Sequence, residues 1–179
     1  MFLNDVEVNI VQICSSTPRC GKDTIGNHLV EKYNYHRFAY ADELKKVCKD
    51  LGWDGEKDKK GRRFLIDIGI VVRGYNEDSW VKLVSERIMN ELTPEDMNIV
   101  ITDLRFENEA IVLKKILEDK GIKVNQKTLG VVREDLLDTT LMEDPSQIEY
   151  FKIPKDLIIY NDSTIDVLKN KVDAMMEME

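Results

Sequence analysis

The residues with the clearest chemical potential lie near the start of the chain, in the segment Ser16-Thr17-Pro18-Arg19-Cys20-Gly21-Lys22-Asp23-Thr24. The spacing follows the phosphate loop G-x-x-x-x-G-K-[ST], with Ser16 replacing the first glycine and Asp23 replacing the hydroxyl residue. In such a loop, backbone N–H groups turn inward around a phosphate, the glycine permits close approach, and the lysine reaches the β and γ oxygens. The segment therefore predicts a nucleoside triphosphate site; the alternative is an ordinary strand-to-helix turn that contains Gly-Lys.

Two carboxylates predict a divalent cation beside the phosphates. Asp23 would repel a triphosphate unless a cation lay between them, and Mg²⁺ prefers oxygen ligands of this kind. The alternative role of Asp23 is a favourable interaction with the helix N-terminus, of about 0.3–1 kcal/mol. Asp103 ends the apolar run Met97–Thr102 and can hold Mg²⁺ or its waters, or form an ion pair at a strand end. We therefore expect Mg²⁺ near Asp23, Thr24 and Asp103.

Arginines form the second group of candidates, because a guanidinium contacts phosphate oxygens in pairs. Arg105 follows the Met97–Thr102 run, at the kind of strand end where ligands bind in open α/β sheets. Basic residues also cluster over a short part of this acidic chain, at Lys59, Lys60, Arg62, Arg63 and Arg73. Such a cluster suits a doubly charged phosphate, and a solvated basic loop is the alternative interpretation and the favoured one for the two lysines.

Composition places the chain among single globular domains. It has 179 residues, 42% of them hydrophobic and 34% charged, with a formal net charge of −8. A chain of this length builds a core without disulfides or structural metal, and its negative charge argues against a nucleic acid polymer as partner. Three scattered cysteines predict free thiols, and no run resembles a signal peptide or a membrane span. We therefore expect a cytoplasmic protein without membrane contact.

Strands and helices are predicted to alternate. Short apolar runs predict strands at Val8–Ile13, His36–Ala41, Met97–Thr102, Leu129–Arg133 and Asp156–Tyr160. Amphipathic patterns predict helices at Lys22–Tyr33, Ser79–Glu91, Glu107–Lys120 and Thr164–Met176, another around Phe64–Val72, and one that Asp42 caps near Glu43. Since parallel neighbours need helical crossovers, the pattern predicts the α/β class, with a parallel sheet covered on both faces.

Five segments, in the same order, resemble the deoxynucleoside monophosphate kinases typical of large DNA phages, which belong to the P-loop nucleoside monophosphate kinase superfamily. Four of them are similar to the family's G-K-D-T, F-A-D-x-L-K, T-D-x-R-F-x-N-E and N-D-G-T motifs: Arg19–Thr24, Phe38–Lys45, Thr102–Glu109 and Asn161–Thr164. The fifth follows R-x-x-L…G…R…W, through Arg62, Leu65, Gly69, Arg73 and Trp80. The chain departs from the family at Ile66, where glutamine is common, and at Asp144-Pro145-Ser146-Gln147, which replaces H-x-S-E.

The resemblance implies one P-loop kinase domain over residues 1–179, with a five-stranded parallel sheet, an acceptor-binding arm at about 42–80 and a lid at about 134–150. The implied reaction transfers the γ-phosphoryl group of ATP to a deoxynucleoside monophosphate, giving ADP and the diphosphate, with Mg²⁺ as cofactor. ATP and the monophosphate are then the partners, and the location is the host cytoplasm if a phage encodes the protein. A homodimer, the accepted base and the ribose preference stay open.

Residue assignments follow from the motifs and the resemblance together. The ATP site is expected to comprise Thr17, Arg19, Cys20, Gly21, Lys22, Asp23 and Thr24, and the resemblance alone adds Asn161 and Asp162. The acceptor site is expected to comprise Asp42, Lys45, Arg62, Arg73, Trp80 and Arg105. Lys22, Arg105 and Arg133 are the candidates for catalysis, although Arg133 can instead pair with Glu134 at the surface.

Three other functions remain open at this point. A kinase acting on dephospho-coenzyme A or phosphomevalonate would share the architecture and differ in its acceptor. A nucleotide-driven ATPase commonly has a glutamate just after the strand-end aspartate, where this chain has Leu104. A non-catalytic nucleotide-binding module would fit Ser16 and the altered lid.

Overall fold

A computed structural model describes residues 7–15, 17–91, 93, 98–133 and 145–177. Its strands are β1 (Glu7–Ser15), β2 (His36–Phe38), β3 (Asn98–Leu104), β4 (Lys123–Val132) and β5 (Leu157–Tyr160). Its helices are α1 (Lys22–Tyr33), α2 (Tyr40–Asp50), α3 (Lys59–Tyr75), α4 (Ser79–Glu91), α5 (Glu107–Asp119), α6 (Pro145–Lys152) and α7 (Ile165–Met176). The strands form one parallel sheet in the order β2-β3-β1-β4-β5. The predicted α/β class and five-stranded parallel sheet are confirmed.

Two apolar layers cover the sheet. Ile13 and Leu129 pack with Leu29 of α1 and Val172 of α7 on one face. The other layer lies between the sheet and α2, α4 and α5, and it includes Ile10. Because the central strands are buried from both sides, their sequences are almost continuously apolar, which is why they could be recognised as strands.

The start of α2 differs from its prediction. β2 ends at Phe38 and α2 begins at Tyr40, so Asp42 lies within the first turn and does not cap the helix. Asp103 of β3 takes that role, because its two carboxylate oxygens accept the N–H groups of Tyr40 (2.9 Å) and Ala41 (2.8 Å). The prediction that Asp42 caps this helix is therefore wrong, because the cap comes from a distant strand.

The remaining elements are of the predicted kinds, with two differences in their bounds and one addition. α3 begins at Lys59, so Lys59 and Lys60 lie in a helix and not in the expected loop, and β4 begins at Lys123, six residues before its predicted start. α4 has the predicted bounds, and Thr164 caps α7 by accepting the N–H group of Val167. α6 was not predicted; it occupies the end of the expected lid, and its Tyr150 is buried in the core. The rest of the expected lid, 134–144, lies outside the described residues. No helix in the described part of the chain combines the length and apolar character that crossing a membrane requires.

Candidate active site

The carboxyl ends of the five strands meet at one edge of the sheet, because all the strands run parallel. This edge carries the loop after β1, Asp103 and Arg105 around the end of β3, Arg133 after β4 and Asn161 after β5. The helices that follow the neighbouring strands β1 and β3 pack in opposite layers. A crevice opens between strands at such a switch in direction, and it is the usual ligand position in open α/β sheets. The fold therefore brings together residues that are far apart in the sequence.

The loop between β1 and α1 contains two residues with positive φ angles. Gly21 has φ +109° and Arg19 has φ +60°, both in the left-handed region. A Cβ atom on Gly21 would lie 2.7 Å from Nδ2 of Asn161 and 3.0 Å from Cδ2 of Leu168. Asn161 Nδ2 donates to the carbonyl oxygen of Cys20 at 2.9 Å, so it supports the loop from its outer side. Glycine at position 21 is therefore required both by φ and by the close approach of Asn161.

The amino end of α1 and the lysine beside it supply positive charge to this loop. No described side chain caps α1 at Gly21, and free amides at a helix N-terminus bind anions. Lys22 Nζ donates to Ser15 Oγ at 2.6 Å, and Ser15 Oγ donates to the carbonyl oxygen of Thr17 at 2.9 Å. The hydroxyl of Thr17 is buried without a hydrogen-bond partner among the described residues. The Lys22 ammonium is thus held against the loop that contains the predicted ATP residues.

Asp103 and Asp42 both lie beside the start of α2. Burial raises the pKa of Asp103 above its usual value, although the amides of Ala41 and Tyr40 favour the charged form. Partial burial would also raise the pKa of Asp42, but hydrogen bonds from Lys45 and Arg37, both at 2.9 Å, outweigh it and hold the pKa of Asp42 below the usual range. Asp42 and Lys45, both predicted in the acceptor site, are therefore paired with each other.

A buried carboxylate, that of Glu109, holds the turn that carries Arg105. Glu109 is not among the site residues predicted from the sequence. Glu109 is 3% exposed and accepts the N–H groups of Arg105 (2.9 Å) and Phe106 (3.1 Å), whereas the side chain of Arg105 is exposed. Burial raises the pKa of Glu109 to about 7. Arg73 of α3 lies 3.6 Å from the centroid of the Phe106 ring and donates to Asn108 Oδ1 at 3.1 Å. Asn108 and Glu109 belong to the T-D-x-R-F-x-N-E segment, which is the signal that could have identified them.

The oxygen donors at the loop fit the predicted magnesium ion. Asp23 is exposed and Thr24 half-buried in the first turn of α1, and neither forms a side-chain hydrogen bond with another described residue. Asp103 already accepts two amides, so its contact with the ion would be through water. The described residues contain no group of three or more His, Cys, Asp or Glu side chains that could hold a metal. A magnesium ion here would therefore take most of its ligands from phosphate oxygens and water, as Mg²⁺ commonly does.

The other predicted residues have varied positions. Arg62 is exposed on α3, where its Nε donates to the carbonyl oxygen of Lys57 at 2.8 Å. Trp80 is 4% exposed and packs in the core layer between the sheet and α2, α4 and α5. Asp162 is exposed and pairs with Lys171 at 2.7 Å, which lowers the pKa of Asp162. Arg62 and Trp80 thus lie on helices and not at the strand ends, and their predicted contact with the acceptor remains a prediction.

Two viral proteins are similar to the chain in sequence, whereas no protein-family model matches it. ORF77 of Ictalurid herpesvirus 1 (strain Auburn), an uncharacterized protein, is 28% identical over an alignment of 161 residues that covers 87% of this chain and 65% of that protein. The "Putative deoxynucleotide monophosphate kinase" of Acanthamoeba polyphaga mimivirus is 22% identical over 188 residues, covering 88% of this chain and 91% of that protein. The chain therefore spans less than two thirds of the herpesvirus protein but most of the mimivirus protein.

Solved structures of several small-molecule kinases are similar in fold. The APS kinase of Mycobacterium tuberculosis, in complex with AMPPNP and APS, has a TM-score of 0.52 at 13% identity, with 95% of this chain and 98% of that chain covered. The shikimate kinase of Aquifex aeolicus has a TM-score of 0.50 at 17% identity, with 95% and 96% covered. At these identities the similarity concerns the fold alone. The chain therefore shares the α/β fold of these kinases, with a five-stranded parallel sheet flanked by helices.

Proposed function

We propose that this protein is an ATP-dependent deoxynucleoside monophosphate kinase, which transfers the γ-phosphoryl group of ATP to a deoxynucleoside monophosphate. The observation that carries the proposal is the loop around Gly21, at φ +109°, which leads into the uncapped amino end of α1 with Lys22 beside it. The fold supports a phosphotransferase. The name of the mimivirus relative and the five resembling segments support this class of acceptor.

The donor phosphates would lie against the backbone N–H groups of residues 17–24, except at Pro18, which has no N–H group. Nucleotide entry would turn Lys22 Nζ from Ser15 Oγ, 2.6 Å away, toward phosphate oxygens, which are stronger acceptors for a cation than a hydroxyl. Asp23, Thr24 and, through water, Asp103 would hold Mg²⁺. The ion would supply positive charge to the β and γ oxygens when bound.

The acceptor phosphate would approach from the β3 side, where Arg105 is exposed on a turn held by Glu109. Arg62 on the arm is the second exposed guanidinium proposed for this phosphate. Arg133, directly after β4 at the same sheet edge, would neutralise charge on the transferred group. Phosphoryl transfer needs in-line placement and positive charge more than covalent chemistry, so these residues act by position and electrostatics.

The test is ADP release from ATP in the presence of dAMP, dGMP, dCMP, dTMP and their ribose counterparts. We expect acceptor-dependent ADP release with at least one deoxynucleotide. Lys22→Ala and Arg105→Ala should each lower turnover by on the order of 10²–10³-fold while the protein stays folded. Arg87→Ala is the control: Arg87 lies on α4, pairs with Glu91 at 2.8 Å and belongs to neither proposed site.

Three outcomes would contradict the proposal and point elsewhere. ADP release with dephospho-coenzyme A or phosphomevalonate, but with no nucleotide, would indicate another small-molecule kinase. ADP release that needs no acceptor would indicate an ATPase. ATP binding without any ADP release across the panel would indicate a binding module.

A further inference from the structure

The turn after β3 is fixed by contacts that reach across three segments of the chain, and Arg73 and Glu109 lie at their centre. We propose that Arg73 and Glu109 are positioning residues: they hold the turn that presents Arg105, and Arg73 does not bind the acceptor phosphate itself. This inference rests on the proposed function, in which Arg105 faces the acceptor phosphate. It changes the role expected of Arg73 from the sequence.

Glu109 fixes the backbone on both sides of the Arg105 side chain. Its Oε2 accepts two consecutive N–H groups, from Arg105 at 2.9 Å and from Phe106 at 3.1 Å. Phe106 is the N-cap residue of α5 and Glu109 is the third residue of that helix, the position from which a glutamate reaches back to the N-cap amide. Since Glu109 is only 3% exposed, water has little access to these bonds. The direction of the chain at Arg105 is thereby set by one buried carboxylate.

Arg73 connects this turn to the arm. Its guanidinium carbon lies 3.6 Å from the centroid of the Phe106 ring, Nη2 donates to Asn108 Oδ1 at 3.1 Å, and Nη1 donates to the carbonyl oxygen of Glu77 at 3.2 Å. Nη1 also lies 3.6 Å from Glu109 Oε1. Both terminal nitrogens are thus engaged by the protein, and one face of the guanidinium is covered by a ring. Few N–H groups of the Arg73 guanidinium therefore remain free to bind a phosphate.

Asn108 completes the connection between α3, α4 and α5. Its Nδ2 donates to the carbonyl oxygen of Glu77 at 3.1 Å and to Asp78 Oδ1 at 3.0 Å, just before α4 begins. The end of α3, the link to α4 and the start of α5 therefore meet at Arg73 and Asn108. A shift of the arm would be transmitted to the Arg105 turn through these contacts.

A lysine could not replace Arg73 in this role. The flat guanidinium stacks on Phe106 while its two nitrogens donate in different directions, whereas an ammonium is a compact charge without a stacking face. A residue that merely attracts a phosphate would, in contrast, keep much of its effect as lysine. Arg73→Lys therefore separates the two roles.

The first experiment is a double-mutant cycle of Arg73→Ala and Arg105→Ala, with kcat and KM for the accepted deoxynucleotide. We expect Arg73→Ala to lower kcat by roughly 10- to 10²-fold, as a misplaced catalytic group does. In the Arg105→Ala background the same change should cost less than about twofold, because the group that it positions is gone. Arg73→Lys should not restore kcat.

A chemically matched control is available outside the site. The Arg87 guanidinium lies 5.1 Å from the centroid of the Phe38 ring and 3.5 Å from Glu43 Oε1, so Arg87→Ala removes a similar stacked ion pair and should leave kcat unchanged. Two results would overturn the inference. One is an Arg73→Ala loss that keeps its full size in the Arg105→Ala background. The other is a loss confined to the deoxynucleotide KM and recovered by Arg73→Lys.

A second measurement does not depend on activity. Hydrogen exchange of the Arg105 and Phe106 amides should accelerate by at least about tenfold in Arg73→Ala relative to Arg87→Ala, because their acceptor loses its support. Glu109→Gln, which keeps an acceptor oxygen, should have a smaller effect than Glu109→Ala. Unchanged protection in Arg73→Ala would refute positioning, whereas absent kinase activity with the expected exchange would refute only the proposed function.

Discussion

Substituting Gly21 by alanine tests the phosphate loop directly, because the structure predicts two separable costs. Gly21 has φ +109°, where a residue with a Cβ atom is disfavoured by about 1–2 kcal/mol. The new Cβ would also lie 2.7 Å from Asn161 Nδ2, closer than real contacts allow. Asn161 would have to move and lose its bond to the carbonyl oxygen of Cys20, which is worth about 0.5–1.5 kcal/mol.

The two costs sum to about 1.5–3.5 kcal/mol against the loop conformation that we propose binds ATP. Gly21→Ala should therefore weaken ATP binding by roughly 10- to 400-fold. Isothermal titration calorimetry measures this directly, with ATP as the titrant and Mg²⁺ present. Unfolding in urea, followed by far-UV circular dichroism, shows whether the protein remains folded.

Gly52→Ala is the matched control for the backbone cost. Gly52 has φ +94°, and a Cβ atom added there would have no neighbour within 4 Å. The Gly52→Ala protein should therefore lose about 1–2 kcal/mol of stability and keep its ATP affinity. In an Asn161→Ala background, Gly21→Ala should cost less than in the wild type, because the contacting side chain is absent. Wild-type ATP affinity in Gly21→Ala would refute the assignment of this loop as the donor site.

Three further predictions concern stability. A Cβ on Gly26 would lie 2.5 Å from Thr102 Cγ2, so Gly26→Ala should destabilise the protein by about 1–3 kcal/mol in urea unfolding, and by less in a Thr102→Ser background. Hydrogen bonds from α1, with Lys32 first, hold the pKa of Asp173 well below its usual range. The charged Asp173 therefore stabilises the folded state above the unfolded pKa of about 4, and this stabilisation is lost as the pH falls below that value. Asp173→Asn should lower the free energy of unfolding at pH 7, and the free energy of unfolding of this variant should decline less toward pH 2 than that of the wild type. Burial raises the pKa of Glu109 to about 7, so the folded state retains a proton that the unfolded chain releases. The free energy of unfolding should therefore fall from about pH 4 to pH 7, and Glu109→Gln should remove this slope.

Each of these has a result that would contradict it. If Gly26→Ala lowered stability equally in the wild type and in the Thr102→Ser background, the contact with Thr102 Cγ2 would not be the cause of the loss. A parallel pH profile for Asp173→Asn and wild type would remove Asp173 as the stabilising carboxylate. A Glu109→Gln variant that keeps the wild-type slope between pH 4 and pH 7 would assign the proton to another group.

The order of elements could be predicted because its causes are local. The apolar runs that became β1 and β3 are buried from both faces, and α4 has the bounds that its amphipathic pattern predicted. α6 was missed because its eight residues, Pro145–Lys152, give a short helix whose place depends on packing against the sheet. Helices this short draw their stability from tertiary contacts more than from propensity.

Only part of the candidate site could be predicted from local sequence patterns. The pattern around Gly21 and Lys22 specifies a loop by residues that are covalent neighbours, and the strand-end position of Arg105 follows from parallel strands. The position of Asp103 at a strand end could be predicted, but its capping of α2 could not. Tyr40 is 63 residues away, and β2 lies beside β3 only in the folded sheet. Motif position alone likewise could not show that Arg73 is engaged by other residues.

The sequence by itself determined the alternation of strands and helices and the glycine-containing turn between β1 and α1, because periodicity and turn chemistry act between near neighbours. Tertiary structure alone decided which distant groups support that turn and the turn that carries Arg105. Asn161 reaches Cys20 across 141 residues, and Arg73 reaches Asn108 across 35. Such pairs form only after the strand order has brought the segments together, so no local pattern in the chain records them.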